Sequence, residues 1–104
     1  MTGAAAIILD QLGGSTFLAM TGARNLQATE DGLMFRLPSG FAKHRINHVI
    51  VRLEHNDTYT LTFGTIRNFE YSSVARSMGI YSDVLRSVFT STTGLDTSLG
   101  RRRA

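Results

Sequence analysis

Residues 46–66, INHVIVRLEHNDTYTLTFGTI, contain two alternating apolar/polar runs separated by the polar cluster Glu54-His55-Asn56-Asp57. Alternation of this kind predicts a β-hairpin, and it also sets the register. With Glu54 opposite Thr58, Leu53 faces Tyr59, Val51 faces Leu61 and Val49 faces Phe63, so six apolar side chains gather on one face. A slip of one residue would set Leu53 against Thr58 and Val51 against Thr60, which breaks that face. The aligned register leaves His55-Asn56-Asp57 as the loop, with Asn56 or Asp57 able to take the left-handed conformation.

Outward from this hairpin, Ala4–Leu12 is expected to be a short helix. Ala5, Ile8, Leu9 and Leu12 share one side, and Gly13-Gly14 supplies a stop. Thr16–Thr21 (TFLAMT) is expected to be a strand. Leu26–Leu37 is expected to be a second hairpin turning at Asp31-Gly32, which places Ala28 opposite Phe35 and Leu26 opposite Leu37 and requires positive φ at Gly32. Pro38-Ser39-Gly40 interrupts the pattern. Arg67–Tyr71 either extends the last strand or leaves the sheet, and Ser72–Gly79 has no clear period. A helix is expected from Tyr81, capped by Ser82, with Tyr81, Val84, Leu85, Val88 and Phe89 on one face; the run Thr90–Thr93 and Gly94 should end it. The fold class is α+β: a five-stranded, mostly antiparallel meander with an N-terminal and a C-terminal helix on one face. Residues 1–95 form a single domain, and residues 96–104 a flexible basic tail.

The chain has 104 residues, 42% of them hydrophobic and 18% charged, which is ample for a core without staples. The absence of cysteine excludes disulfides, thiolate metal sites and a Cys nucleophile. Residues 1–14 lack the basic start of a signal peptide, and Asp10 and Gln11 interrupt their apolar run. The pI near 10 suggests a polyanionic partner. However, Arg101–Arg103 supply three of the eleven Lys/Arg, leaving eight against eight acidic residues.

ILDQLGGSTFLAMTGARN, FRLPSGFAKHRIN, TYTLTFGTIRNFEY and GIYSDVLRSVFTSTTGLDTSL together resemble a family of small uncharacterised proteins of bacteriophages, prophages and plasmids. The resemblance implies a mobile-element accessory protein acting in a bacterial cytoplasm. It transfers no activity and no functional residues.

No catalytic or cofactor motif is present, and the chain is read as non-enzymatic, without cofactor or metal. His44 and His48 are four apart, a ligand spacing only on a helix, where the pattern is β. The candidate nucleic-acid-binding residues are Arg36, His48 and Arg52 on the second sheet face, Phe41, Lys43 and Arg45 in the loop after Pro38, Arg67, and Arg101, Arg102 and Arg103 in the tail. The competing reading is a solvated sheet face rich in Thr for β propensity. At the level of function, the alternative to nucleic acid is a module binding a host or phage protein, or a second copy of this chain. No membrane is expected.

Overall fold

A computed structural model describes residues 3–98. In chain order these form α1 (Gly3–Leu12), α2 (Gly14–Thr21), β1 (Arg24–Ala28), β2 (Gly32–Arg36), β3 (His48–Leu53), β4 (Tyr59–Arg67), β5 (Glu70–Ile80) and α3 (Leu85–Thr93). Short 3-10 turns lie at Lys43–Arg45 and Ser82–Val84. The strands make one antiparallel sheet in the order β1-β2-β3-β4-β5, an α+β meander.

The central register is the one alternation requires. Val49 pairs with Phe63, Val51 with Leu61 and Leu53 with Tyr59, and Asp57 takes the left-handed conformation in the loop (φ 64°). With Leu33 and Phe35 of β2, these side chains form the buried face of the sheet. Ile8 and Leu12 of α1, Phe17 of α2, and Leu85 and Phe89 of α3 cover it. The Phe17 ring meets those of Phe35 and Phe89 edge-on, each at 5.4 Å. The Tyr59 hydroxyl donates to Gln11 Oε1 at 2.6 Å, tying α1 to β4.

Several expectations are corrected. Thr16–Thr21 is not a strand but most of α2. Phe17 and Thr21, four residues apart, are its buried side chains, and the Thr21 hydroxyl donates back to the Phe17 carbonyl at 2.8 Å. Gly13, at φ 130°, lets a second helix begin at once, at 67° to the first. The fifth strand is β5, in the stretch without a clear period. In the first hairpin the turn is Glu30-Asp31 rather than Asp31-Gly32: the Thr29 N–H donates to the Gly32 carbonyl, and Ala28 pairs with Leu33, not Phe35, and Gln27 with Met34. The shift is two residues, so parity, and with it the buried face, is unchanged. Gly32 is a strand residue opposite Arg52 without positive φ; an added Cβ would overlap the Val51 carbonyl. At the C-terminal helix, Tyr81 and Val84 are exposed. The hydroxyl run lies inside α3, where Thr93 donates to the Phe89 carbonyl at 2.8 Å, and Gly94 ends the helix at φ 79°.

Thr97 is buried, and its carbonyl lies against Gly13. Arg101–Arg103 lie outside the described residues. Among the described residues no single helix is long and apolar enough to cross a membrane. The bent α1–α2 pair reaches that length together, but its Ile8, Leu12 and Phe17 are buried in the core.

Candidate nucleic-acid interface

In a meander, alternate strand ends share one edge of the sheet. Here Arg24, Arg36, His48, Gly64 and Ser73 form one cross-strand row. The connections 37–47 and 68–69 lie beyond it. That end therefore carries Arg24, Arg36, Lys43, Arg45 and Arg67 against a single carboxylate, Glu70. The opposite end, formed by residues 29–32 and 54–58, carries Glu30, Asp31, Glu54 and Asp57. The charge balance that looks neutral along the chain is segregated in space. Arg24 stands directly opposite Arg36, an arrangement that disfavours the sheet unless an anion is near.

Asn47 organises this end. It is buried, and its side chain forms a two-way bond with Ile66: Nδ2 donates to the Ile66 carbonyl at 3.1 Å, and the Ile66 N–H donates to Oδ1 at 2.8 Å. Its own carbonyl accepts from the Leu37 N–H at 2.9 Å and from Arg36 Nε at 3.3 Å. A cleft of about 390 Å³ opens over it, lined by Ser39, Gly40, Arg45, Asn47, Ile66 and Arg67.

Two tight turns flank the cleft. In one, the Ile46 N–H donates to the Lys43 carbonyl, and His44 and Arg45 are left-handed (φ 56° and 61°). In the other, closed by the Arg67–Glu70 pair, Asn68 and Phe69 are left-handed (φ 53° and 67°). Turns with two such residues favour glycine, yet neither contains one. Phe41, beside Gly40, is 69% exposed, and Phe69 is fully exposed. The cleft thus has two arginines on its walls and an exposed aromatic on each flanking connection.

The other candidate residues are placed differently. Lys43 turns to the helical layer: Nζ donates to the Ser91 carbonyl at 3.3 Å near the end of α3, and its stem packs on Gly94. Arg52 lies toward the acidic end and pairs with Asp31 at 3.1 Å, the one ion pair among the described residues. The pairing holds the exposed Asp31 carboxyl below its usual range. His48 is buried, with the Tyr71 ring edge-on at 5.5 Å. Tyr71 reaches it by crossing Gly64, where a Cβ would lie 2.5 Å from the tyrosine ring. His48 Nδ1 has no hydrogen-bond partner among the described residues. Burial, and secondarily the Arg36 charge, push its pKa down. The ring is neutral at pH 7 and shielded from a phosphate.

The structure therefore brings together Phe41, Arg45 and Arg67, with Arg36 nearby, and sets Lys43, His48 and Arg52 apart. Sequence reasoning missed Arg24, Asn47 and Phe69. The signal for Phe69 is the Asn68-Phe69 dipeptide between two strand-like runs, which alternation alone assigns only to a strand extension or exit. Among the described residues, no group of three or more His, Asp or Glu is arranged to hold a metal ion. Comparison with known proteins finds no family model, no curated protein and no solved structure that matches this chain.

Proposed function

We propose that this protein is a non-enzymatic nucleic-acid-binding accessory factor of a phage or other mobile element, acting in the bacterial cytoplasm. The observation that carries the reading is the collection of Arg24, Arg36, Arg45 and Arg67 at one end of the sheet, where Arg45 and Arg67 wall a cleft whose flanking connections carry exposed phenylalanines. Arginines there supply sequence-independent attraction to a phosphate backbone, and the rings supply flat apolar faces for bases. On the second sheet face Thr60, Thr62 and Ile50 lie beside a shielded His48, and Arg52 there is held by Asp31, so the reading rests on the basic end of the sheet rather than on that face.

The test is fluorescence anisotropy with labelled oligonucleotides at low salt. The intact protein is expected to bind more tightly than about 10⁻⁴ M, the weak end of ordinary non-specific affinity. The double variant Arg45→Ala/Arg67→Ala should bind several-fold more weakly. No binding by the intact protein, or equal binding by the double variant, rules the reading out.

One observation favours a protein partner instead. β5 is a long edge strand with Tyr71, Val74 and Met78 exposed, a form that accepts an added strand. Two irregularities in its pairing with β4, at Val74 and Gly79, bend that edge and work against such addition. Nucleic acid is accordingly the first reading, and a protein partner takes over if oligonucleotides fail to bind.

A further inference from the structure

We infer that Phe69 is a base-stacking prong that makes the basic cleft selective for single-stranded over duplex nucleic acid; the inference rests on the nucleic-acid reading above. Phe69 occupies the second central position of a tight turn at φ 67°, where an aromatic side chain is strained and glycine is the favoured residue. Strain of this kind persists when something offsets it, and burial does not: the ring is fully exposed and packs on nothing. Both the backbone and the side chain therefore work against phenylalanine as far as the fold is concerned.

Position supplies a reason. The turn is closed by the paired Arg67 and Glu70, so the backbone that carries the ring is fixed at the tip of a hairpin and only the side chain's own rotation is lost on binding. Arg67, two residues earlier, lines the cleft, and Gly40, on its other side, is followed by the exposed Phe41. A strand whose phosphates meet Arg45 and Arg67 would have ring faces available at both margins. Only an unpaired strand can turn a base out to meet them, since duplex bases are already stacked on one another. An anionic bilayer is the other surface that takes an exposed phenylalanine beside arginine. Glu70, next to Phe69 in sequence, repels anionic headgroups and phosphates alike, so the vesicle arm of the test separates the two surfaces.

The test uses the full chain and compares Phe69→Gly, Phe69→Trp and Phe69→Leu. Probes are a labelled oligothymidylate of roughly 15 nucleotides, its duplex, and phosphatidylserine-containing vesicles. Phe69→Gly should raise Tm by about 3–6 °C, because strain is relieved and no packing is lost. The same variant should bind the single strand about 5- to 100-fold more weakly, with an unchanged salt slope and unchanged duplex affinity. Phe69→Trp should retain single-strand affinity, and Phe69→Leu, apolar without a flat face, should not. If Phe69→Gly binds the single strand as well as the intact protein does while Arg45→Ala/Arg67→Ala binds poorly, the stacking role is overturned and the nucleic-acid reading stands. If the intact protein binds neither oligonucleotide, that reading itself fails and takes this inference with it. Vesicle binding that Phe69→Gly abolishes, with oligonucleotide binding untouched, would make the residue a membrane anchor and overturn the assignment.

Discussion

Asn47 acts as a strand residue with a second peptide group in its side chain. Its amide offers Ile66 one donor and one acceptor, continuing the ladder between β3 and β4 past the point where the main chain leaves it. Asn47→Ala leaves the Ile66 N–H and carbonyl without those partners, and should cost about 2–3 kcal/mol in urea denaturation. Asn47→Asp should not rescue it, because a carboxylate accepts from the N–H but faces the Ile66 carbonyl with a second oxygen. Recovery by Asp would show that only the accepting bond matters. His48, at the start of the same strand, makes stability depend on pH. Burial first, and the Arg36 charge second, hold its folded pKa below the unfolded value of about 6.5. Below that pH the unfolded chain takes up a proton that the fold refuses, so stability falls as pH drops through about 6.5. It levels off once the folded imidazole protonates. The urea midpoint of the intact protein should therefore be lower at pH 5.5 than at 7.5, and His48→Phe should narrow that difference. An unchanged pH dependence in the variant would assign the effect to other groups.

At the level of elements, the central hairpin was legible because both strands alternate and only one register collects Val49, Val51, Leu53, Tyr59, Leu61 and Phe63 on a single face. Val51→Ala or Leu61→Ala should cost about 2–4 kcal/mol, and Thr62→Ala on the other face less than about 1 kcal/mol. Thr60→Ala should fall between them, since its buried hydroxyl donates to Glu54 Oε2 at 2.7 Å. Equal losses at all four would mean that both faces are equally buried. The elements that were misread share a physical cause. Six residues such as TFLAMT are too short for periodicity to separate a strand from a buried helix, and packing of Phe17 on Phe35 and Phe89 decided the matter. β5 shows no clean alternation because it is an edge strand, interrupted at Val74 and Gly79, with little of its surface in the core. Asp-Gly is a strong signal for a two-residue turn, but Gly32 is required for another reason: the close approach of the β3 backbone at Val51. Gly32→Ala should accordingly cost more than about 2 kcal/mol even though φ there is unexceptional, whereas Gly40→Ala, at φ 82° with open space around it, should cost only about 1 kcal/mol. Similar costs at the two positions would place the demand at Gly32 in its backbone angles after all.

Across the whole molecule, what decides the reading is where charge lies, and that was only partly visible along the chain. Phe41, Lys43 and Arg45 stood out because they are neighbours in sequence. Arg24 and Phe69 join them only when the meander brings the start of β1 and the turn after β4 to one end of the sheet. Net charge conceals this, since the carboxylates Glu30, Asp31, Glu54 and Asp57 sit at the other end. Two double variants with the same net charge separate segregation from bulk charge. Arg45→Ala/Arg67→Ala removes two cations from the cleft. Arg52→Ala/Arg86→Ala removes one cation paired with Asp31 toward the acidic end and one exposed on α3. If phosphates are bound at the basic end, the cleft pair should reduce the slope of log K against log salt by about 1.4 for single strands, roughly 0.7 for each phosphate no longer neutralised. The distant pair should leave that slope unchanged and shift affinity only slightly, because at ordinary ionic strength a charge more than about 8–10 Å from the bound strand is largely screened. Anisotropy titrations at several salt concentrations measure both slopes. Equal reductions would mean that the protein attracts nucleic acid through overall charge, and the cleft would lose its claim to be the binding site.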